Sequence, residues 1–209
     1  MGVTLAKPVA ELPDDLGKIA RKYRAYNFPF ENLVLEGGGA KGFAYIGAMK
    51  VLEDAGIIKK IKRFAGCSAG AVTAGLMSLG MTSNEIVEEI RNVNMESTLK
   101  DSPWWSRGPL RYIFFGRQFL KDYGVYPGDR FLSWYGKVIH RHLQKHHGAK
   151  GLDENINLHQ LRNIFGKELC TVTYNLTFGI DMYCHAKTTP FCTVRQAVRQ
   201  SMSLPGKPS

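Results

Sequence analysis

Residues 64–72 read F-A-G-C-S-A-G-A-V and set two nucleophilic side chains, Cys67 and Ser68, side by side between glycines. In a G-x-S-x-G turn the nucleophile sits where a strand breaks sharply into a helix. The residues two before and two after it must be tiny for strand and helix to pass each other. Counted from Ser68, those positions are Gly66 and Gly70; counted from Cys67, they are Ala65 and Ala69. The spacing selects Ser68 and leaves Cys67 as a small packed thiol beside the elbow. Acyl transfer through a serine also needs donors for the oxyanion of the tetrahedral intermediate. The Ala69 amide supplies one at the helix N-terminus, where the helix dipole favours negative charge.

Further donors are offered by G-G-G-A-K-G, formed by Gly37, Gly38, Gly39, Ala40, Lys41 and Gly42. Its bare backbone N–H groups can turn toward one point, and each oxyanion donor contributes about 3–4 kcal/mol to a transition state. The same six residues also fit G-x-G-x-x-G. The dinucleotide reading, however, needs an acidic residue at the end of the next strand, where this chain has Gly-Cys-Ser-Ala-Gly. A GxxxxGK[ST] phosphate loop fails because Lys41 precedes Gly42 and no hydroxyl follows.

These motifs need elements to hold them. N-L-V-L-E reads as a buried strand entering the glycine loop. A helix follows from Ala40, with Ala44, Ala48, Val51, Leu52 and Ala55 on one face and Gly56 as its stop. I-K-R-F-A-G-C is a second strand, and A-G-A-V-T-A-G-L-M-S-L-G is a small-residue helix. Thr82, Asn157 and Thr193 each open a capping box, starting helices at 82–85, 157–160 and 193–196. Phe131, Trp134, Tyr135, Val138 and Ile139 mark a helix with a core stripe, and E-L-C-T-V-T-Y-N-L and I-D-M-Y-C-H read as strands. Alternating strands and helices predict an α/β fold around a largely parallel sheet. Residues 1–30 are expected to form an N-terminal arm with a short helix near Asp15, and 31–209 the domain.

The chain has 209 residues, enough for one domain with a substantial core. Neither a signal peptide nor a membrane span is evident, and the four cysteines have no metal-ligand spacing, which predicts reduced thiols and a cytoplasmic protein. Asn175-Leu-Thr matches a glycosylation acceptor that such a protein would not use. The net charge is +10, and residues 100–150 concentrate it, with ten Lys or Arg against three Asp and all three tryptophans. Basic residues interleaved with aromatics suit peripheral contact with an anionic membrane surface, or a solvated helical subdomain. A nucleic-acid module would use the same charge, but no nucleic-acid-binding motif accompanies it, so none is expected as a partner.

The segments L-V-L-E-G-G-G-A-K-G-F-A-Y-I-G-A-M-K-V-L-E-D-A-G-I and F-A-G-C-S-A-G-A-V-T-A-G-L resemble the opening of the patatin-like phospholipases. K-E-L-C-T-V-T-Y-N-L-T-F-G and V-R-Q-A-V-R-Q-S-M-S-L-P-G resemble later segments of that family, so the resemblance covers roughly residues 31–206. It implies a three-layer α/β/α fold and a lipid acyl hydrolase acting on phospholipid or acylglycerol without metal or organic cofactor. It also implies a Ser–Asp dyad with Ser68 as nucleophile, an oxyanion loop at 37–42, and Lys41 as that loop's basic residue.

The implied base is an aspartate in a D-G-G or D-G-A motif beyond S-M-S-L-P-G, and neither tripeptide occurs in the chain. Asp129 and Asp181 lack the glycine context. A truncated enzyme, its C-terminal part missing, is therefore the expectation. A catalytically inactive lipid- or membrane-binding regulator is the alternative. Asp181 and His185 follow Ser68 in triad order but sit roughly 13 Å apart along a strand. His142 and His146 have i,i+4 spacing without a HExxH glutamate or an evident third ligand; a solvated basic helix end is expected there, and no metal site.

Overall fold

The computed structural model describes residues 15–99, 128–148 and 151–203. Among these residues four strands form one sheet in the order β1 (Asn32–Leu35), β2 (Arg63–Gly66), β3 (Glu168–Asn175), β4 (Ile180–His185). The first three run parallel, with Leu35 opposite Gly66 and Gly66 opposite Thr171. The expected α/β architecture is therefore present, with one antiparallel addition, because β4 folds back on β3 as a hairpin. Asn175 directs that reversal. Its side-chain oxygen accepts from the Thr177 and Phe178 amides, and Gly179 closes the turn at φ +66°. The residue that looked like a glycosylation acceptor is thus a turn former.

Helix α1 (Asp15–Arg24) packs on α2 (Ala44–Asp54), which follows a 3-10 turn at Gly39–Phe43. Then come α3 (Ala69–Ser78), α4 (Ser83–Arg91), α5 (Met95–Leu99), α6 (Asp129–His147), α7 (Leu158–Phe165) and α8 (Val194–Ser201). The capping boxes at Thr82, Asn157 and Thr193 are all formed, each closed by the Glu or Gln three residues on. One expectation needs correcting. The face of α2 that packs inward carries Ile46 and Met49, whereas Ala44 and Ala48 are exposed. Alanine has too little apolar area to orient a helix against isoleucine and methionine.

The core surrounds α3, which lies against β1, β2, β3 and α8 and is buried along most of its length. Its small residues allow this close approach. At Gly75 an added Cβ would lie 2.3 Å from the Tyr135 hydroxyl, which donates to the Val72 carbonyl at 3.0 Å. Phe131, Tyr135, Val138 and Ile139 of α6 complete the core with Phe64, Leu76, Leu79, Leu161 and Leu169. Burial drives the Tyr135 phenol far above its ordinary pKa, so it remains a neutral donor. The strongly basic stretch at 100–127 lies outside the described residues.

Candidate functional site at the β2–α3 turn

Ser68 caps the N-terminus of α3 with φ 52° and ψ −121°, and among the described residues it alone combines a side chain with a positive φ. Such a conformation costs about 1–3 kcal/mol and persists only where its surroundings enforce it. The enforcement is visible at both flanking glycines. A Cβ on Gly66 would lie 2.4 Å from the Gly70 carbonyl carbon, and one on Gly70 would lie 2.2 Å from the Leu35 oxygen. Strand, turn and helix therefore touch backbone to backbone. The Cys67 amide donates to Leu35 O at 3.2 Å, and the Gly70 amide donates to Cys67 O at 2.9 Å.

A third element fixes the turn from the far side. The Ser68 amide donates to Ser201 Oγ at 3.1 Å, and Ser201 donates to the Val172 carbonyl at 2.6 Å. Ser201 thus ties the elbow to α8 and β3. Nothing in the spacing of the motifs singles it out, although S-M-S begins on the last residue of a capped helix.

The glycine loop packs directly on the elbow. A Cβ on Gly37 would lie 3.3 Å from both Cys67 O and Ser68 Cβ, and one on Gly42 would lie 2.7 Å from Ala69 Cβ. Gly39 takes φ +53°, and the Lys41 amide closes the loop on Gly38 O at 3.1 Å. The Tyr45 hydroxyl anchors the loop's entry by donating to Glu36 O at 2.7 Å. Gly38, Gly39, Ala40 and Lys41 are exposed. The Ala69 amide occupies the first turn of α3, where helices leave N–H groups without intrahelical acceptors. The two motifs, some 30 residues apart, form one surface. Cys67 departs from expectation: it is exposed, because the turn lifts its side chain out of the strand.

Among the described residues none hydrogen-bonds the Ser68 hydroxyl. Asp181 and His185 do not form a triad with it. They pair with Tyr174 and Cys170 toward opposite ends of β4, and His185 Nε2 meets Glu168 Oε2 at 2.9 Å.

The histidine pair on α6 also differs from expectation. His146 is exposed, but His142 is buried and bonded to the Leu79 carbonyl at 3.0 Å, so the helix end is only partly solvated. Glu85 of α4, a residue the sequence offers only as a capping partner, lies against both. Burial alone would raise its pKa. Hydrogen bonds from the Thr82 amide, His146, Lys145 and the Thr82 hydroxyl outweigh burial and lower it to about 2.

A glycine-flanked serine in a strained strand-to-helix turn, at the C-terminal end of a central parallel strand, defines an α/β protein of the nucleophile-elbow type. The chain belongs to the patatin-like phospholipase family, whose family model matches residues 33–206. It is 31% identical over 185 residues to the uncharacterized protein YqhO of Bacillus subtilis, covering 82% of this chain and 55% of that protein. It is 24% identical over 176 residues to the probable lipid hydrolase 463L of Invertebrate iridescent virus 6, covering 84% of this chain and 54% of the relative. The chain thus spans about half the length of these curated relatives. The fold matches full-length ExoU of Pseudomonas aeruginosa, solved in complex with SpcU, with a TM-score of 0.58 at 24% identity over 85% of this chain and 39% of that one. Among the described residues no helix is long and apolar enough to cross a membrane.

Proposed function

We propose that the chain carries the nucleophile and oxyanion elements of a lipid acyl hydrolase. Ser68 Oγ attacks the ester carbonyl of a phospholipid or acylglycerol, and its proton passes to a base. The oxyanion is held by the Ala69 amide and by amides of the 37–42 loop. Collapse of the intermediate breaks the ester C–O bond, the leaving alcohol takes the proton, and acyl-Ser68 remains for water to cleave. The observation that carries this reading is the strained φ of Ser68 with Gly42 packed on the adjacent Ala69.

A lipid substrate is supported by the β3–β4 turn. Because β2 and β3 are parallel, this turn emerges at the same end of the sheet as Ser68, and it exposes Leu176, Phe178 and Ile180. These residues alternate with Asn175, Thr177 and Gly179 in N-L-T-F-G-I, a pattern the motifs give no role.

A fluorophosphonate probe is expected to label the protein, with loss of labelling in Ser68→Ala. Undiminished labelling of that variant would overturn the assignment. A second reading follows from the lack of a partner on the Ser68 hydroxyl among the described residues: an inactive lipid-binding protein. It is favoured if the chain binds anionic vesicles yet releases no fatty acid, and excluded by Ser68-dependent release.

A further inference from the structure

The geometry points to a divalent transition-metal site formed by Glu85, His142 and His146, joining α4 to the end of α6. The site lies beyond the C-terminal end of α3, about 15 Å along that ten-residue helix from Ser68. It is therefore separate from the elbow and independent of the reading given to it.

One carboxylate and two imidazoles make a donor set suited to Zn²⁺ and its neighbours, and the three ligand atoms lie within 4.8 Å of one another. The i,i+4 spacing puts both histidines on one face of α6, with ring centroids 4.6 Å apart. Glu85 Oε1 is 2.7 Å from His146 Nε2, and Glu85 Oε2 is 4.0 Å from His142 Nδ1.

His142 carries the decisive detail. Its Nε2 faces the Leu79 carbonyl at 3.0 Å. A carbonyl only accepts, so the ring proton resides on Nε2 and the Nδ1 lone pair is left facing the carboxylate. Nδ1 is buried without a hydrogen-bond partner, and the side chain is only 4% exposed. A lone pair buried against a carboxylate is unfavourable, and a cation between them satisfies both. A backbone carbonyl on the second ring nitrogen is the arrangement that fixes the tautomer of metal-ligating histidines.

Thr82 steadies Glu85 from behind, its amide at 3.0 Å and its hydroxyl at 3.1 Å from Oε2. Lys145 Nζ lies 3.1 Å from Glu85 Oε1 and competes for the carboxylate, but its side chain is 64% exposed and free to swing away. Three protein ligands leave the fourth tetrahedral position to water.

The test uses untagged protein stripped with chelator and titrated with Co²⁺, then with Zn²⁺ against a chromophoric chelator. One equivalent of Co²⁺ should bind with visible bands of tetrahedral intensity, and Zn²⁺ should displace it. His146→Ala and Glu85→Gln should each weaken binding by at least roughly tenfold, since even outer-shell losses cost that much. Lys145→Ala, which removes the competing cation, should tighten it. Zn²⁺ should raise the melting temperature of the parent protein and not that of His146→Ala. Absence of the Co²⁺ bands at millimolar metal, or unchanged affinity in both ligand variants, would overturn the proposal. Both variants alter side chains at the rim, so the test does not depend on buried His142 tolerating replacement.

Discussion

Ser201 holds Ser68 from a position 133 residues later in the chain: its hydroxyl accepts the Ser68 amide at 3.1 Å and donates to Val172 O at 2.6 Å. Replacing it with alanine removes both bonds and leaves the partly buried Ser68 amide without its side-chain acceptor. Ser201→Ala should lower stability by about 1–3 kcal/mol, read as a shift of the urea midpoint. It should also slow fluorophosphonate labelling, whereas Ser68→Ala abolishes labelling at nearly unchanged stability. Equal labelling rates in Ser201→Ala and parent would argue against a positioning role.

The glycines should respond in graded fashion. Gly70→Ala drives a Cβ to 2.2 Å from Leu35 O and 2.6 Å from Glu36 O, a clash with backbone that should cost at least about 3 kcal/mol. Gly42→Ala meets only the Ala69 methyl, at 2.7 Å, so the exposed loop can retreat. It should cost about 1 kcal/mol of stability while sharply reducing labelling. Gly17→Ala on α1 meets nothing within 4 Å and should stabilise by up to about 1 kcal/mol. Denaturant melts of the three variants test the order.

Phe178 is 72% exposed at the hairpin tip. Phe178→Ser should change stability by less than about 0.5 kcal/mol. It should nonetheless reduce partitioning onto lipid vesicles in a sedimentation assay. Unaltered partitioning would remove the hairpin from the lipid surface.

Glu85 makes stability depend on pH in metal-free buffer. Its folded pKa of about 2 lies below the ordinary 4.5, so its contribution is complete above pH 4.5. It is lost as the pH falls from about 4.5 to about 2, because the unfolded state binds the proton first. Unfolding free energies measured across that window should fall less steeply for Glu85→Gln than for the parent. Parallel slopes would contradict the assignment.

Most of this architecture was legible in the sequence because its signals are local. Three capping boxes and the α6 stripe depend on neighbours within a few residues, and all formed as written. The antiparallel course of β4 was not legible, since a strand's period says nothing of its partner's direction. The Asn175 turn that decides it resembled a modification signal. The exposure of Cys67, the Ser201 anchor and the approach of Glu85 to the α6 histidines all depend on tertiary contacts. Glu85 and His146 are 61 residues apart and meet only once α4 and α6 pack. Alanine misled on α2 because its methyl fits either side of a helix.

The backbone contact of Gly70 with Leu35 has a kinetic consequence. The conformation of Ser68 is not a property of its own pentapeptide, because it needs β1 against α3 and Ser201 brought in from 133 residues further along. Both closures span long loops, so the elbow is expected to assemble late in folding and to lack its reactive geometry in a partly folded chain. Serine reactivity then reports on completed tertiary assembly: during refolding, probe labelling should lag the recovery of helical signal and coincide with recovery of the core.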